Sequence, residues 1–255
     1  MWTPKTPEMA VAANAVSLLM PHAEPYVVAS TRAALREGLA SDPEVAAEAE
    51  GYVAQEAQHH AQHHRFNRIV VARYPGLRRI DAAAARWFGF LGRRSTRFGL
   101  AFAAGFETIA FVAARWVDRN QRLLRDADPA AATLFLWHLA EEVEHKRVAF
   151  DVHAAAGGGR LRYAAGMTVA ALTLAVFSFA AAMVMLAGEG RLLRPGSHLR
   201  LAGWSLSFIF AAVPIMVVSA LPGHHPDQLV DPAGLEHWLD HLDPKTSTVP
   251  EWALP

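Results

Sequence analysis

The stretch Gln55-Glu56-Ala57-Gln58-His59-His60-Ala61-Gln62-His63-His64 decides how the chain is read. At about 100° per helical residue, Glu56, His59 and His63 fall within an arc of about 60°, so one helix face offers them to a common point. A second stretch, His138-Leu139-Ala140-Glu141-Glu142-Val143-Glu144-His145, repeats the arrangement with His138, Glu142 and His145 on one face. Two helices that each carry Glu-x-x-His, completed by a lone Glu from each of two others, can enclose a carboxylate-bridged metal pair within a four-helix bundle. Glu24 and Glu107 are the candidates for the lone carboxylates.

The composition agrees with a helical protein. The chain has 255 residues, with 24 Lys plus Arg against 24 Asp plus Glu, so no overall field favours nucleic acid. There is no Cys, which excludes disulfide staples, thiolate zinc sites and cysteine nucleophiles. Thirteen His exceed what packing or solubility requires, and many fall in close pairs. Ala-rich helical patterns with little alternation predict an all-α fold. No basic segment followed by an apolar core opens the chain, so no signal peptide is expected.

Working outward from the two stretches, Met1 to Met20 reads as a short helix or irregular lead-in. Pro21 and Pro25 place Glu24 near the start of a helix running to about Leu39. Ser41-Asp42-Pro43 starts the next, through the His-rich stretch to about Tyr74, where Pro75-Gly76 ends it. A short helix spans Arg79 to Phe90. Ser95 or Thr96 caps another that carries Glu107 to about Leu124. Asp128-Pro129 opens the helix with the second stretch, and Gly157-Gly158-Gly159 stops it. Tyr163 to Gly188 and Leu201 to Gly223 then contain no charged residue, and each exceeds the roughly 20 apolar residues that cross a bilayer. A turn at Gly188-Glu189-Gly190-Arg191 joins them as a hairpin, and Pro214 should kink the second. A short amphipathic helix from Pro232 to Leu242 and a Pro-rich tail follow. The expected organisation is a bundle over 1–159, an apolar hairpin over 160–223, membrane-associated or buried, and a terminal helix and tail over 224–255.

Taken singly, each candidate has an ordinary explanation. A lone Glu-x-x-His is common on solvated helix faces. Around Glu56 and His59, however, Tyr52, Val53, Ala57 and Ala61 make one side apolar, and a buried Glu needs a partner. Glu141, Glu142 and Glu144 are three acids within four residues, beside Trp137, Val143 and Val148, and would repel each other without a cation. Glu142 and His145 are assigned to metal. Glu141 or Glu144 is expected to pair with Arg or Lys. Glu107 is the one charge in Leu100 to Ala114, the alternative being an acid paired with Arg32 or Arg36. Glu24 could instead complement the helix dipole. His63 would add a nitrogen or shuttle protons, and His138 is either a ligand or an orienting donor behind one, the latter being preferred. With Glu141, these two are the candidates for catalytic roles beside the metals. His60 and His64 are expected to lie outside or exposed, and His224-His225 in a polar turn.

These residues carry a resemblance. The chain is similar to the bacterial family labelled predicted metal-dependent hydrolases, which share Gln-Glu-Ala-x-His-x-x-x-His, here Gln55 to His63. They also share Trp-His-x-x-Glu-Glu-x-Glu-His-Lys-x-x-Ala-Phe-Asp-Val, here Trp137 to Val152. Pro21-His22-Ala23-Glu24 matches a Pro-x-x-Glu near the front, with His22-Ala23 where an acid or Gly is expected, and His225-Pro226-Asp227 also matches. The resemblance covers nearly the whole chain and implies a metal-dependent enzyme.

Two chemistries suit two metals in such a bundle, whose ligand pattern is closest to the ferritin-like class. Iron would activate dioxygen for oxidation of a small hydrophobic molecule, with an electron donor as partner; zinc or manganese would acidify water for hydrolysis. Since neither a Gly-rich nucleophile turn nor an Arg clamp is evident, the oxygen-activating reading is preferred. A storage or structural metal site is the non-enzymatic third. The apolar helices 163–188 and 201–223 suit a cytoplasmic protein held at the inner membrane, an inner layer of a soluble domain, or a homodimer interface.

Overall fold

The computed structural model describes residues 1–234, and these form an all-α protein without strands. Eight α-helices follow in order: α1 Pro7–Ser17, α2 Met20–Arg36, α3 Pro43–Arg73, α4 Leu77–Leu91, α5 Thr96–Arg119, α6 Pro129–Ala155, α7 Arg160–Gly188 and α8 Pro195–Ala220. Three of the starts are set by side chains that satisfy otherwise orphaned backbone donors. Asp42 accepts from the Glu44 N–H, Ser95 from Phe98 and Asp128 from Ala131, with Pro43 and Pro129 in the first turns of their helices.

Helix α2 packs on α3, α3 on α6, α6 on α5 and α5 on α2, closing a four-helix bundle. Helix α5 is its most buried member because α7 and α8 cover its other side. Hence Leu100 to Phe106 is apolar all round, as a helix enclosed on every side must be. The α5–α7 approach depends on two glycines. A Cβ on Gly105 would collide with the Met167 backbone, and one on Gly166 with that of Ala101. The core joining these helices includes Tyr26, Phe102, Phe106, Ile109, Phe150, Tyr163 and Met167.

Several boundaries differ from expectation for local reasons. Helix α5 ends at Arg119 rather than Leu124: the Asn120 amide donates to the Trp116 carbonyl, and Gln121–Leu124 continues as a 3₁₀ turn. Helix α4 begins at Leu77, whose N–H bonds to the Tyr74 carbonyl. The lead-in takes the first of its two expected forms, a short helix, α1, and Pro214 lies inside α8 as expected. The helix expected from Pro232 to Leu242, with the tail after it, lies outside the described residues beyond Gly234.

Three helices, α5, α7 and α8, are long and apolar enough to cross a membrane. Their burial separates them: 78% of the apolar window of α5 is buried within the protein, 33% of that of α7 and 6% of that of α8. The apolarity of α5 is therefore accounted for by the protein's own core. That of α8 is not.

Candidate metal centre

The bundle brings Glu24 from α2, Glu56 and His59 from α3, Glu107 from α5, and His138, Glu142 and His145 from α6 to its axis. All are buried; Glu24, Glu56, His59 and Glu107 have 0% exposure. Glu56, His59, Glu142 and His145 each offer a donor atom within 4.8 Å of the others, and Glu24, His59 and His138 form a second such group. His145 Nδ1 stands 2.8 Å from Glu56, 3.5 Å from Glu142 and 3.9 Å from Glu107. His59 Nδ1 stands 3.5 Å from Glu56 and 3.6 Å from Glu142. His138 Nε2 is 2.6 Å from Glu142 and 3.8 Å from Glu24.

Each imidazole turns one nitrogen inward and ties the other to a neighbour. His59 Nε2 is 2.8 Å from Glu141, whose other oxygen accepts from the Trp137 indole. His145 Nε2 bonds to the Gln55 side-chain oxygen at 3.0 Å, and His138 Nδ1 meets His63 Nε2 at 2.6 Å. Such outer contacts fix ring orientation and tautomer around a metal. Tyr52 donates to Glu107 at 2.6 Å.

The inner atoms are left over. Among the described residues, both carboxylate oxygens of Glu24 and of Glu56, one each of Glu107 and Glu142, and Nδ1 of His59 and His145 are buried without a hydrogen-bond partner. Unpaired buried polar atoms are costly and rare, and here eight converge. Four carboxylates and three imidazoles are a donor set that suits divalent iron, manganese or zinc, and two such cations would balance the four negative charges.

Electrostatics in the metal-free protein show the same strain. Burial, with Glu56 and Glu142 alongside, pushes the Glu24 carboxyl well above its usual range. Burial and Glu142 press on Glu56 likewise, but the neighbouring His145 and His59 imidazoles carry it below its ordinary value. Glu142, despite its burial, is held well below by His145 and His138. Against its burial, His59 is raised to about 9 by Glu141, Glu56 and Glu142. His145 is raised to about 10, against burial, by Glu142 and Glu56. Burial lowers both His63 and His138.

All six candidate ligands converge. Glu107 takes its hydrogen bond from Tyr52, while Arg32 and Arg36 are exposed. Glu141 meets His59 and Trp137, not the expected Lys or Arg; Lys146 pairs with Asp231 and Arg147 with Glu48. His138 lies inside the carboxylate ring rather than behind it, and His63 lies one step out, against His138 and Ser17. His64 is exposed and His60 half-buried. From sequence, Tyr52 is only part of an apolar side and Gln55 only part of the shared stretch, and Ser17 and Asn67 have no role; Tyr52 and Gln55 bond to the cluster, Ser17 to His63 and Asn67 to Ser17. Tyr52, one helical turn before Glu56, was within reach of spacing arguments; Ser17 and Asn67 carried no chemical signal. A cavity of about 520 Å³ opens beside His145, between Tyr52, Gln55 and Val143, with Glu48, Arg147 and Asp227 at its lining.

Fold and site together define an all-α protein with a buried carboxylate–imidazole cluster of a kind that can hold metal ions. The chain belongs to the family described as "Predicted metal-dependent hydrolase", whose model matches residues 1–229. The match takes in every residue of the cluster as well as α7 and α8. No curated protein and no solved structure matches the chain.

Proposed function

We propose that the chain is an enzyme working through two metal ions held between α2, α3, α5 and α6. The observation that carries this is the convergence of eight buried, unpartnered donor atoms. Glu56 and Glu142, each close to both His59 and His145, would hold the ions together with these imidazoles, and Glu24 and Glu107 would join them from the neighbouring helices α2 and α5. When bound, the ions would supply Lewis acidity toward water and substrate or, as iron, electrons to dioxygen. Glu141 and Gln55 hold the His59 and His145 rings, Tyr52 steadies Glu107, and the apolar core keeps bulk water from the cluster.

The family description supports hydrolysis, ahead of the oxygen-activating reading preferred from sequence. The second reading keeps one specific observation. No Arg or Lys among the described residues pairs with Glu24, Glu56, Glu107 or Glu142, and hydrolysis calls for an oxyanion stabiliser beyond the metal. The proposed substrate is a small, largely apolar molecule presenting a polar end to the charged cavity beside His145.

Loading the purified chain separately with zinc and with iron(II) separates the readings. Zinc-dependent cleavage of activated esters or phosphoesters, without oxygen uptake by the iron form, supports hydrolysis. Stoichiometric oxygen uptake by the iron form supports the second. Inactivity in both assays contradicts both and favours storage.

A further inference from the structure

We propose that His138 supplies a third imidazole to the metal centre, and that His63, Ser17 and Asn67 are positioning residues fixing which of its nitrogens is free. This rests on the binuclear reading above. Nε2 of His138 lies among the carboxylates, 2.6 Å from Glu142 and 3.8 Å from Glu24, with the His59 ring centroid 4.1 Å from its own. A ligating Nε2 must be unprotonated, so a neutral His138 carries its hydrogen on Nδ1. That nitrogen faces His63 Nε2 at 2.6 Å.

The hydrogen count then runs outward from Nδ1, while the hydrogen shared between Nε2 and Glu142 at 2.6 Å is the one that an ion would displace. His138 Nδ1–H donates to His63 Nε2, so His63 carries its own hydrogen on Nδ1. This donates to Ser17 Oγ at 2.7 Å. The Ser17 hydroxyl has one hydrogen, and it donates to Asn67 Oδ1 at 2.8 Å. The Asn67 amide nitrogen donates to the Ser17 carbonyl at 2.6 Å, which fixes which end of the amide accepts. The chain is directional from its far end: the Asn67 amide sets Ser17, Ser17 sets His63, and His63 sets His138. It crosses from α1 to α3 to α6 and is buried throughout, with Ser17 0%, His63 1%, Asn67 6% and His138 7% exposed. A salt link would serve as well to tie α1 to the bundle; a directional chain ending on an inward-facing nitrogen serves a ligand. The donors fall into two unequal groups that share His59, one of Glu24, His59 and His138 and one of Glu56, His59, Glu142 and His145.

The test uses full-length protein with ¹⁵N-labelled histidine and zinc(II) as the probe. In the zinc-loaded wild type, the expected spectrum shows His138 and His63 both protonated at Nδ1, with His138 Nε2 unprotonated and metal-shifted. Ser17→Ala removes the acceptor that orients His63, and zinc affinity at the His138 ion is expected to fall about 10–100-fold, the usual effect of losing an outer hydrogen-bond partner. A zinc-loaded wild type with His138 protonated at Nε2 overturns the proposal, however the variant folds. So does unchanged affinity in a folded Ser17→Ala. A wild type that takes up no zinc instead overturns the binuclear reading itself.

Discussion

Glu56 and Glu142 each lie between two imidazoles whose inner nitrogens have no other partner, and this gives the site its pH dependence. In the metal-free protein His59 titrates at about 9 and His145 at about 10, both above the ordinary imidazole value near 6.5. A raised folded value contributes stability that is full below about 6.5 and is lost as pH rises through those values. A cation must displace the same protons, so its affinity rises over the same window. Between about pH 6.5 and 8.5 the metal-free melting temperature should fall while zinc affinity, measured against a chelator, climbs. A flat affinity profile would remove His59 and His145 from the ligand set. At this scale the sequence was most legible where chemistry and helical spacing coincide, as in Glu56-x-x-His59 and Glu142-x-x-His145. It was silent where a role depends on a partner distant in the chain: nothing in Ser17 or Glu141 foretells His63 or His59 across the bundle.

Caps and apolar periodicity made the helices readable, since Asp42-Pro43, Ser95 and Asp128-Pro129 satisfy local donors whatever the tertiary context. Which helix would be central was harder to see, because α5, α7 and α8 are all long and apolar enough to cross a membrane, and it is burial that separates them. Their separation depends on the glycine contact between α5 and α7. Gly105→Val should cost roughly 3 kcal/mol in a denaturant titration, at the upper end for an overpacked core, because backbone rather than a pliant side chain stands in the way. Stability equal to wild type would mean that α5 and α7 do not meet at Gly105 and Met167. The carboxylates depend on this element too: Glu107 is held in place by the helix that α7 presses into the bundle.

For the whole molecule, the outer surface of α7 and α8 is the feature left uncovered among the described residues. Leu172, Val176 and Phe179 on α7 and Leu206, Ile209, Phe210, Val213 and Val217 on α8 are exposed. The uncharged spans end in Arg160 and Arg162 on one side and Arg191, Arg194 and Arg200 on the other. Hydrocarbon bounded by anionic headgroups is the environment that this pattern suits. The full chain should sediment with membranes and need detergent for extraction, and Ile209→Lys with Phe210→Glu should weaken that association. A monodisperse detergent-free dimer would instead assign the surface to a second copy. Whichever partner covers α8, the bundle beneath it is organised around six carboxylate and imidazole side chains from four helices, with His138 as a seventh. Counting metal ions in the purified chain tests that most directly: the account predicts about two per wild-type chain, and loss of binding in Glu56→Ala and Glu142→Ala while both stay helical. Full metal content in both variants, or none in the wild type after loading, would contradict it.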